Sequence, residues 1–400
     1  MSEVLRHLRQ QQAASGARPR LIQRYAAFLP VTAATPPITL GEGNTPLVHA
    51  RALGRAIGIP ELHLKVEGMN PTGSFKDRGM VVAVARAMED GAEADLCAST
   101  GNTAASATAY AAAAGLESIV VLPAGRIARG KLVQALFGGA KVVAVEGGFD
   151  DALRIVRELS GDAAGSGGGG SPGGTADGSG GANGTTDPEA SPNGRPKRWV
   201  TLVNSVNPHR IAGQQTAAFE VIDDLGGAPD YVALPVGNAG NITAYWKAFN
   251  AYRDAGLVET RPVMLGFQAA GAAPLVVGHP IADPETVATA IRIGDPASWH
   301  GAIRARDESG GRIDAVTDDE ILEAWRDLAR LEGIFCEPAS AAPVAGLRKL
   351  VAERAIDPGG TVVAVLTGHG LKDPELAQRH GPEIQTAEAT VEGVRQALGW

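Results

Sequence analysis

The sequence predicts an α/β fold in which short strands alternate with longer helices around mostly parallel sheets. Three observations carry this. Brief apolar, β-branched runs alternate with helical patterns along most of the chain, the mark of repeated strand–helix–strand units. Four hundred residues with 44% apolar content can bury a large core, and this length suits two domains better than one. Glycine- and hydroxyl-rich turns follow several of the strands, which is where open parallel sheets collect their ligands.

After an irregular, proline-containing lead, strands are expected at residues 62–67, 95–98, 118–123, 141–145, 199–203, 231–236, 263–267 and 362–366. Between them, apolar residues recur at helical spacing over 75–89, 103–114, 130–137, 210–225, 242–255, 318–331 and 340–353. Residues 161–198 break the rhythm. They mix Gly, Ser, Pro, Asn and Asp with no aliphatic side chain larger than alanine, too little to offset the entropy of ordering, so a disordered surface insertion is expected. A packed fold can carry such a loop at a cost of about 1–2 kcal/mol, because closure entropy grows only logarithmically with length.

The net charge of −8 and the lack of a basic stripe argue against a nucleic-acid surface. Any anionic ligand must then be held locally. Cys97 and Cys336 exclude a disulfide framework and sit in no metal-ligand spacing, and the eight histidines show no paired spacing, so neither metal nor thiol chemistry is assigned. The N-terminus lacks the apolar core of a secretory signal, and no apolar run approaches the about 20 residues needed to span a bilayer. A cytoplasmic protein without membrane contact is expected.

Five motifs could carry chemistry. The first, residues 70–80, reads Asn-Pro-Thr-Gly-Ser-Phe-Lys-Asp-Arg-Gly-Met and puts Lys76 after a tight turn at a helix start. Unpaired N–H groups and a positive dipole end there disfavour the ammonium, which makes Lys76 a candidate Schiff-base nucleophile. The dipole alone is too weak. Neutrality near pH 7.5 needs a drop of about three units, about 4 kcal/mol, against at most about 2 from a helix end. Burial beside a bound cofactor is expected to supply the rest. The second motif, Pro-Val-Gly-Asn-Ala-Gly-Asn at 235–241, opens a helix after a strand and would present backbone amides to a phosphate monoester. It matches neither the Walker pattern nor the dinucleotide fingerprint.

The third, Ser-Thr-Gly-Asn-Thr-Ala-Ala-Ser at 99–106, is either a simple N-cap or a carboxylate cradle with Asn102 free to meet a phenolic oxygen. The fourth, Thr-Gly-His-Gly at 367–370, ends a strand where a hydroxyl could meet a heterocyclic nitrogen, or is a plain turn. The fifth, Asn-Ser-Val-Asn-Pro-His-Arg at 204–210, sets an arginine one helical turn past polar caps. A guanidinium binds phosphate bidentately, so this is either a second anion site or a surface capping network.

In this order the five motifs resemble the threonine synthase family, over nearly the whole chain except 161–198. The family belongs to the fold type II enzymes of pyridoxal 5′-phosphate, in which two open, mostly parallel-sheet domains enclose a cofactor cleft. The resemblance implies a larger cofactor domain of residues 1–75 and 199–400 and a smaller substrate domain of 76–160. It implies Lys76 as the aldehyde-binding amine, Gly237, Asn238, Ala239, Gly240 and Asn241 at the cofactor phosphate, Asn102 at the ring hydroxyl and Thr367 at the pyridine nitrogen. A neutral hydroxyl there, in place of a carboxylate, should not enforce full pyridinium charge. The implied substrate is O-phospho-L-homoserine, its phosphate held by Arg210, Asn204, Ser205 and Thr103, with Ser99 and Thr100 near the amino-acid part; the implied assembly is a homodimer. A serine or threonine dehydratase, a cysteate synthase and a non-catalytic amino-acid carrier are the competing readings.

Overall fold

The computed structural model describes residues 20–124, 129–161, 199–381 and 383–400. The low-complexity insertion lies outside the described residues apart from Gly161. Strands β1 (Leu47–His49), β2 (Leu62–Val66), β7 (Tyr231–Pro235), β8 (Val263–Ala269), β9 (Arg312–Val316) and β10 (Val362–Leu366) form one sheet in the order β1-β2-β10-β7-β8-β9. All neighbours in it are parallel except β1 against β2. Strands β3 (Ala94–Ala98), β4 (Glu117–Pro123), β5 (Lys141–Val145) and β6 (Val200–Leu202) form a second, wholly parallel sheet in the order β5-β4-β3-β6.

Helices cover both faces of the larger sheet, which is why its central strands read as unbroken apolar runs. In β10, Val362, Ala364 and Leu366 pack into one buried cluster with the helices Asp318–Glu332 and Ala342–Ala352, while Val363 and Val365 point into the other. That second cluster takes in Val81 and Val84 of the Lys76–Glu89 helix and Phe219 of Thr216–Leu225, so it joins the two sheets.

The expected division at residue 199 differs from the sheets. The strand after the insertion pairs with β3, Leu202 opposite Leu96, and so belongs to the four-stranded sheet. Its Leu202 shares a buried cluster with Leu96, Ala98 and Val121. The helix expected over 210–225 is two helices, Pro208–Gln214 and Thr216–Leu225. The Thr216 hydroxyl donates to the Gly213 carbonyl at 2.6 Å, a back-bond that bends a helix. Among the described residues no helix is long and apolar enough to cross a membrane.

Candidate active site

Five strand ends converge on one cleft of about 2230 Å³ between the sheets. Each predicted motif sits at a carboxyl end: the lysine loop beyond β2, Ser99 beyond β3, Asn204 beyond β6, Gly237 beyond β7 and Thr367 beyond β10. Of the predicted site residues, all line the cleft except Arg210.

Lys76 is the first residue of its helix and half-buried. Gly73, at φ +85°, makes the preceding turn. The turn is fixed by Asp77, whose carboxylate accepts from Thr72 N at 2.7 Å, Thr72 Oγ1 at 2.6 Å and Ser106 Oγ at 2.6 Å. Burial, then the positive charge of Arg210, lowers the Lys76 amine to about 7, against an opposing pull from Glu337. The protein itself thus supplies the drop that the sequence reading assigned to a bound cofactor.

Two helix contacts hold the amine in place. Arg78 is fully buried and grips Glu67 through Nε at 2.6 Å and Nη2 at 2.8 Å, and Glu220 through Nη1 at 2.9 Å and Nη2 at 2.7 Å. Lys65 completes the group with a 3.0 Å contact to Glu220. A buried ion network of this kind is weak support for stability but strongly resists loss of one partner. Alongside, the Lys76–Glu89 and Pro208–Gln214 helices cross backbone to backbone, because a Cβ on Gly213 would lie 2.1 Å from the Arg78 carbonyl oxygen.

The turn at 237–241 holds Ala239 in the left-handed region at φ 61°, directly before the helix Gly240–Asp254. A non-glycine residue held there is strained, and such strain persists where the surroundings fix it, often at ligand sites. Asn241 is buried at the same helix start and its Nδ2 has no partner among the described residues. A buried donor left open beside free helix amides suits an anion.

The helix Asn102–Ala114 is capped by Gly101, with no side-chain cap. This removes simple N-capping by Ser99 or Thr100 and leaves the first turn, with Asn102 and Thr103 on the cleft lining, without a side-chain cap. Ser99 Oγ instead accepts from Gly101 N at 3.2 Å. Asn204 clamps the backbone of Ala98 through both ends of its amide, at 2.9 and 3.0 Å, and so positions Ser99. Ser205 Oγ is 3.5 Å from Asn238 Nδ2. Arg210 is fully buried and donates from Nη1 to the Val203 carbonyl at 2.9 Å, while Nε and Nη2 have no partner among the described residues. Burial lowers it to about 10. Arg210 is therefore no surface residue, while Asn207 does cap its helix.

The sequence reading missed Glu337. Its buried carboxylate accepts from Asn102 Nδ2 at 3.0 Å and from Thr367 Oγ1 at 3.1 Å, joining the two residues expected on the cofactor ring. The only local signal is one charge in an otherwise small and apolar run, Cys-Glu-Pro-Ala-Ser-Ala-Ala-Pro-Val at 336–344.

The family model described as "Pyridoxal-phosphate dependent enzyme" matches residues 38–368. A threonine synthase of Synechocystis is 51% identical over 383 residues, 95% of this chain and 91% of that protein. Another, of Halalkalibacterium halodurans, is 53% identical over 360 residues, 89% of this chain and 90% of that protein. Among solved structures, maize serine racemase superposes with a TM-score of 0.65 at 16% identity, covering 90% of this chain and 94% of that one, which speaks for the fold alone. With every cleft motif at a strand end and half its residues shared with these relatives, the chain belongs to the pyridoxal-phosphate dependent enzymes, in the threonine synthase family.

Proposed function

We propose that the chain converts O-phospho-L-homoserine and water to L-threonine and phosphate, the last step of threonine biosynthesis. The observation that carries this reading is Arg210. Its buried guanidinium leaves two nitrogens, Nε and Nη2, without a partner among the described residues, and a buried cation with unpaired donors is costly unless an anion completes it. With the turn at 237–241 this gives two anion sites, one for a cofactor phosphate and one for a phosphorylated substrate. Arg210 lies off the cleft lining, so the reading requires it to turn toward the cleft with Asn204, Ser205 and Thr103 when substrate phosphate arrives.

Pyridoxal 5′-phosphate fits these residues. The open Nδ2 of Asn241 and the helix start at Gly240 suit its phosphate, and the Lys76 amine, lowered to about 7, suits its aldehyde. When bound, the group forms an imine with an amine and delocalises the charge left when a proton departs the adjoining carbon. Asn102 and Thr367 orient its ring. With the group bound, Lys76 Nζ would be the base: it would take the α-proton, pass it to the bound group, and so be free to take a β-proton as the C–O bond to the γ-phosphate breaks. Arg210 would neutralise the departing phosphate, the first helix amides at Asn102 would hold the substrate carboxylate, and water would add its hydroxyl at the β-carbon, its proton and the two taken by Lys76 going to the α- and γ-carbons and the released phosphate.

Chromatography after incubation with pyridoxal phosphate and O-phosphohomoserine should show threonine; none would sink the reading. A dehydratase would leave Arg210→Ala nearly as active on serine, and a cysteate synthase would prefer O-phosphoserine with sulfite. A carrier would show no pyridoxyl group on the Lys76 peptide after borohydride trapping.

The same reading takes the protein to be a cytoplasmic homodimer of two-domain subunits, the smaller domain extended to include β6. The C-terminal helix Val391–Leu398 supports the dimer, since it buries none of its residues and exposes Val391, Val394 and Leu398 on one face.

A further inference from the structure

Glu337 stands at the centre of a hydrogen-bond relay whose proton positions can be followed from atom to atom. Gly368 N donates to Ser340 Oγ at 3.1 Å, and since Thr367 donates to Glu337, the 3.0 Å contact between Ser340 Oγ and Thr367 Oγ1 has Ser340 as donor, its other acceptor being the Gly368 carbonyl at 3.5 Å. Thr367 in turn gives its proton to Glu337 Oε1 at 3.1 Å, and Asn102 Nδ2 fills Oε2 at 3.0 Å. Thr367 has then accepted once and donated once, and what it has left for the cleft is a lone pair. Were Glu337 neutral and donating to Thr367 Oγ1, with Ser340 still donating from the other side, the Thr367 proton would be left for the cleft. The seat is built for a carboxylate: Glu337 N is tied to the Gly368 carbonyl at 2.9 Å, and a Cβ on Gly368 would lie 2.5 Å from the carboxyl carbon.

We propose that Glu337 is a positioning residue that, by accepting the Thr367 hydroxyl's hydrogen bond, makes Thr367 an acceptor toward the cofactor's ring nitrogen and so keeps that nitrogen protonated. This rests on the proposed placement of Thr367 at the ring. It departs from the expectation that a neutral hydroxyl leaves the ring without full charge, because the hydroxyl would pass on the demand of the carboxylate behind it. The groups facing Glu337 are Asn102 and Thr367, the cations Lys76 and Lys372, and the thiol of Cys336, itself pushed up by burial. Burial raises the carboxyl, while the two hydrogen bonds and both lysines pull it back. A protonated ring would add a further positive charge on the side that favours ionised Glu337.

The test uses the cofactor-loaded protein and its absorbance as a function of pH, a readout separate from turnover. In Glu337→Gln, the midpoint between the visible and near-ultraviolet bands should move by about half a pH unit or more. In the same variant kcat should fall about tenfold with KM nearly constant, since an orienting role leaves substrate binding intact. Adding Thr367→Val should produce no further spectral change, because both act through one hydroxyl. A folded, loaded Glu337→Gln with the wild-type midpoint overturns the proposal, as does a full additive shift in the double variant. If Glu337→Gln does not fold, Thr367→Val alone removes the proposed acceptor, and an unmoved midpoint there overturns it equally. Wild-type protein that makes no threonine would sink the proposed reaction yet leave the spectral outcome standing. Absence of borohydride label on Lys76 would remove the cofactor placement and this inference together.

Discussion

The backbone amide of Phe75 donates to the carbonyl of Thr367 at 3.0 Å, and beside it Ser74 and Gly368 form an antiparallel bridge. The residue before Lys76 is thereby tied to the residue expected at the ring nitrogen. The link follows from sheet register: β2 and β10 are parallel neighbours with Val66 opposite Leu366, so their carboxyl ends deliver both loops to one place. Gly368 lies within this link, and an alanine there would drive its Cβ to 2.5 Å from Glu337 Oε1, with backbone bonds on both sides preventing retreat. Gly368→Ala should therefore weaken cofactor binding about tenfold, about 1.4 kcal/mol. Fluorescence titration of the apo-protein measures it, and an unchanged Kd would contradict the account.

The Lys76 amine is lowered to about 7 by burial and then by Arg210. Only the neutral amine attacks an aldehyde. Capture of pyridoxal phosphate by apo-protein should accordingly speed up as pH rises, with a midpoint near 7, and level off above it. Arg210→Met removes a neighbouring like charge, so its midpoint should move upward by about half a unit or more. Stopped-flow absorbance gives both profiles. A rate still climbing steadily to pH 9 in the wild type would mean an unperturbed lysine.

Much of this was legible in the sequence because the central strands are buried on both faces. Unbroken runs such as Val-Val-Ala-Val-Leu at Val362–Leu366 can be little else. Strands β1 and β9 were not found, for edge strands carry mixed patterns: in Arg312–Val316 only Ile313 and Val316 are buried. That the loops at 70–80, 235–241 and 367–370 line one cleft was legible because each follows a strand with its own local turn chemistry. Glu337 was not, since its meaning lies in partners 30 and 235 residues away in the chain. Arg210 was visible as a cation near a cap, but its open donors arise only from tertiary burial.

Arg78 bridges Glu67 and Glu220 with no exposed surface. Replacing it by methionine leaves two buried carboxylates facing one lysine, and unfolding by urea at pH 7 should show a loss of about 3–5 kcal/mol. The pH dependence fixes the sign. Glu220 is held well below its ordinary 4.5, against its burial, by Arg78 and then Lys65, so its contribution is complete above that value and is lost as pH falls. In Arg78→Met the acid slope below about pH 4.5 should flatten, because the lowered carboxyl rises toward normal. A variant that keeps both its stability at pH 7 and the wild-type acid slope would show the network to be idle.

The crossing of the Lys76–Glu89 and Pro208–Gln214 helices gives the last prediction. A Cβ on Gly213 would sit 2.1 Å from the Arg78 carbonyl oxygen, and one on Gly79 would sit 2.6 Å from that of Arg210. Both obstacles are backbone, so a methyl group can be accommodated only by moving the helices apart. Alanine would normally gain up to about 1 kcal/mol over glycine inside a helix. Overpacking at a rigid contact costs about 1–3 kcal/mol and wins here, because separation also loosens the buried salt bridges of Arg78. Since Lys76 stands one turn before Gly79, the same movement displaces the amine, and misplacement of about 1 Å can cost about 100-fold in rate. Gly213→Ala should lower both the melting temperature and kcat/KM for threonine formation. A variant at least as stable and as active as wild type would mean that the two helices are free to part without disturbing the lysine.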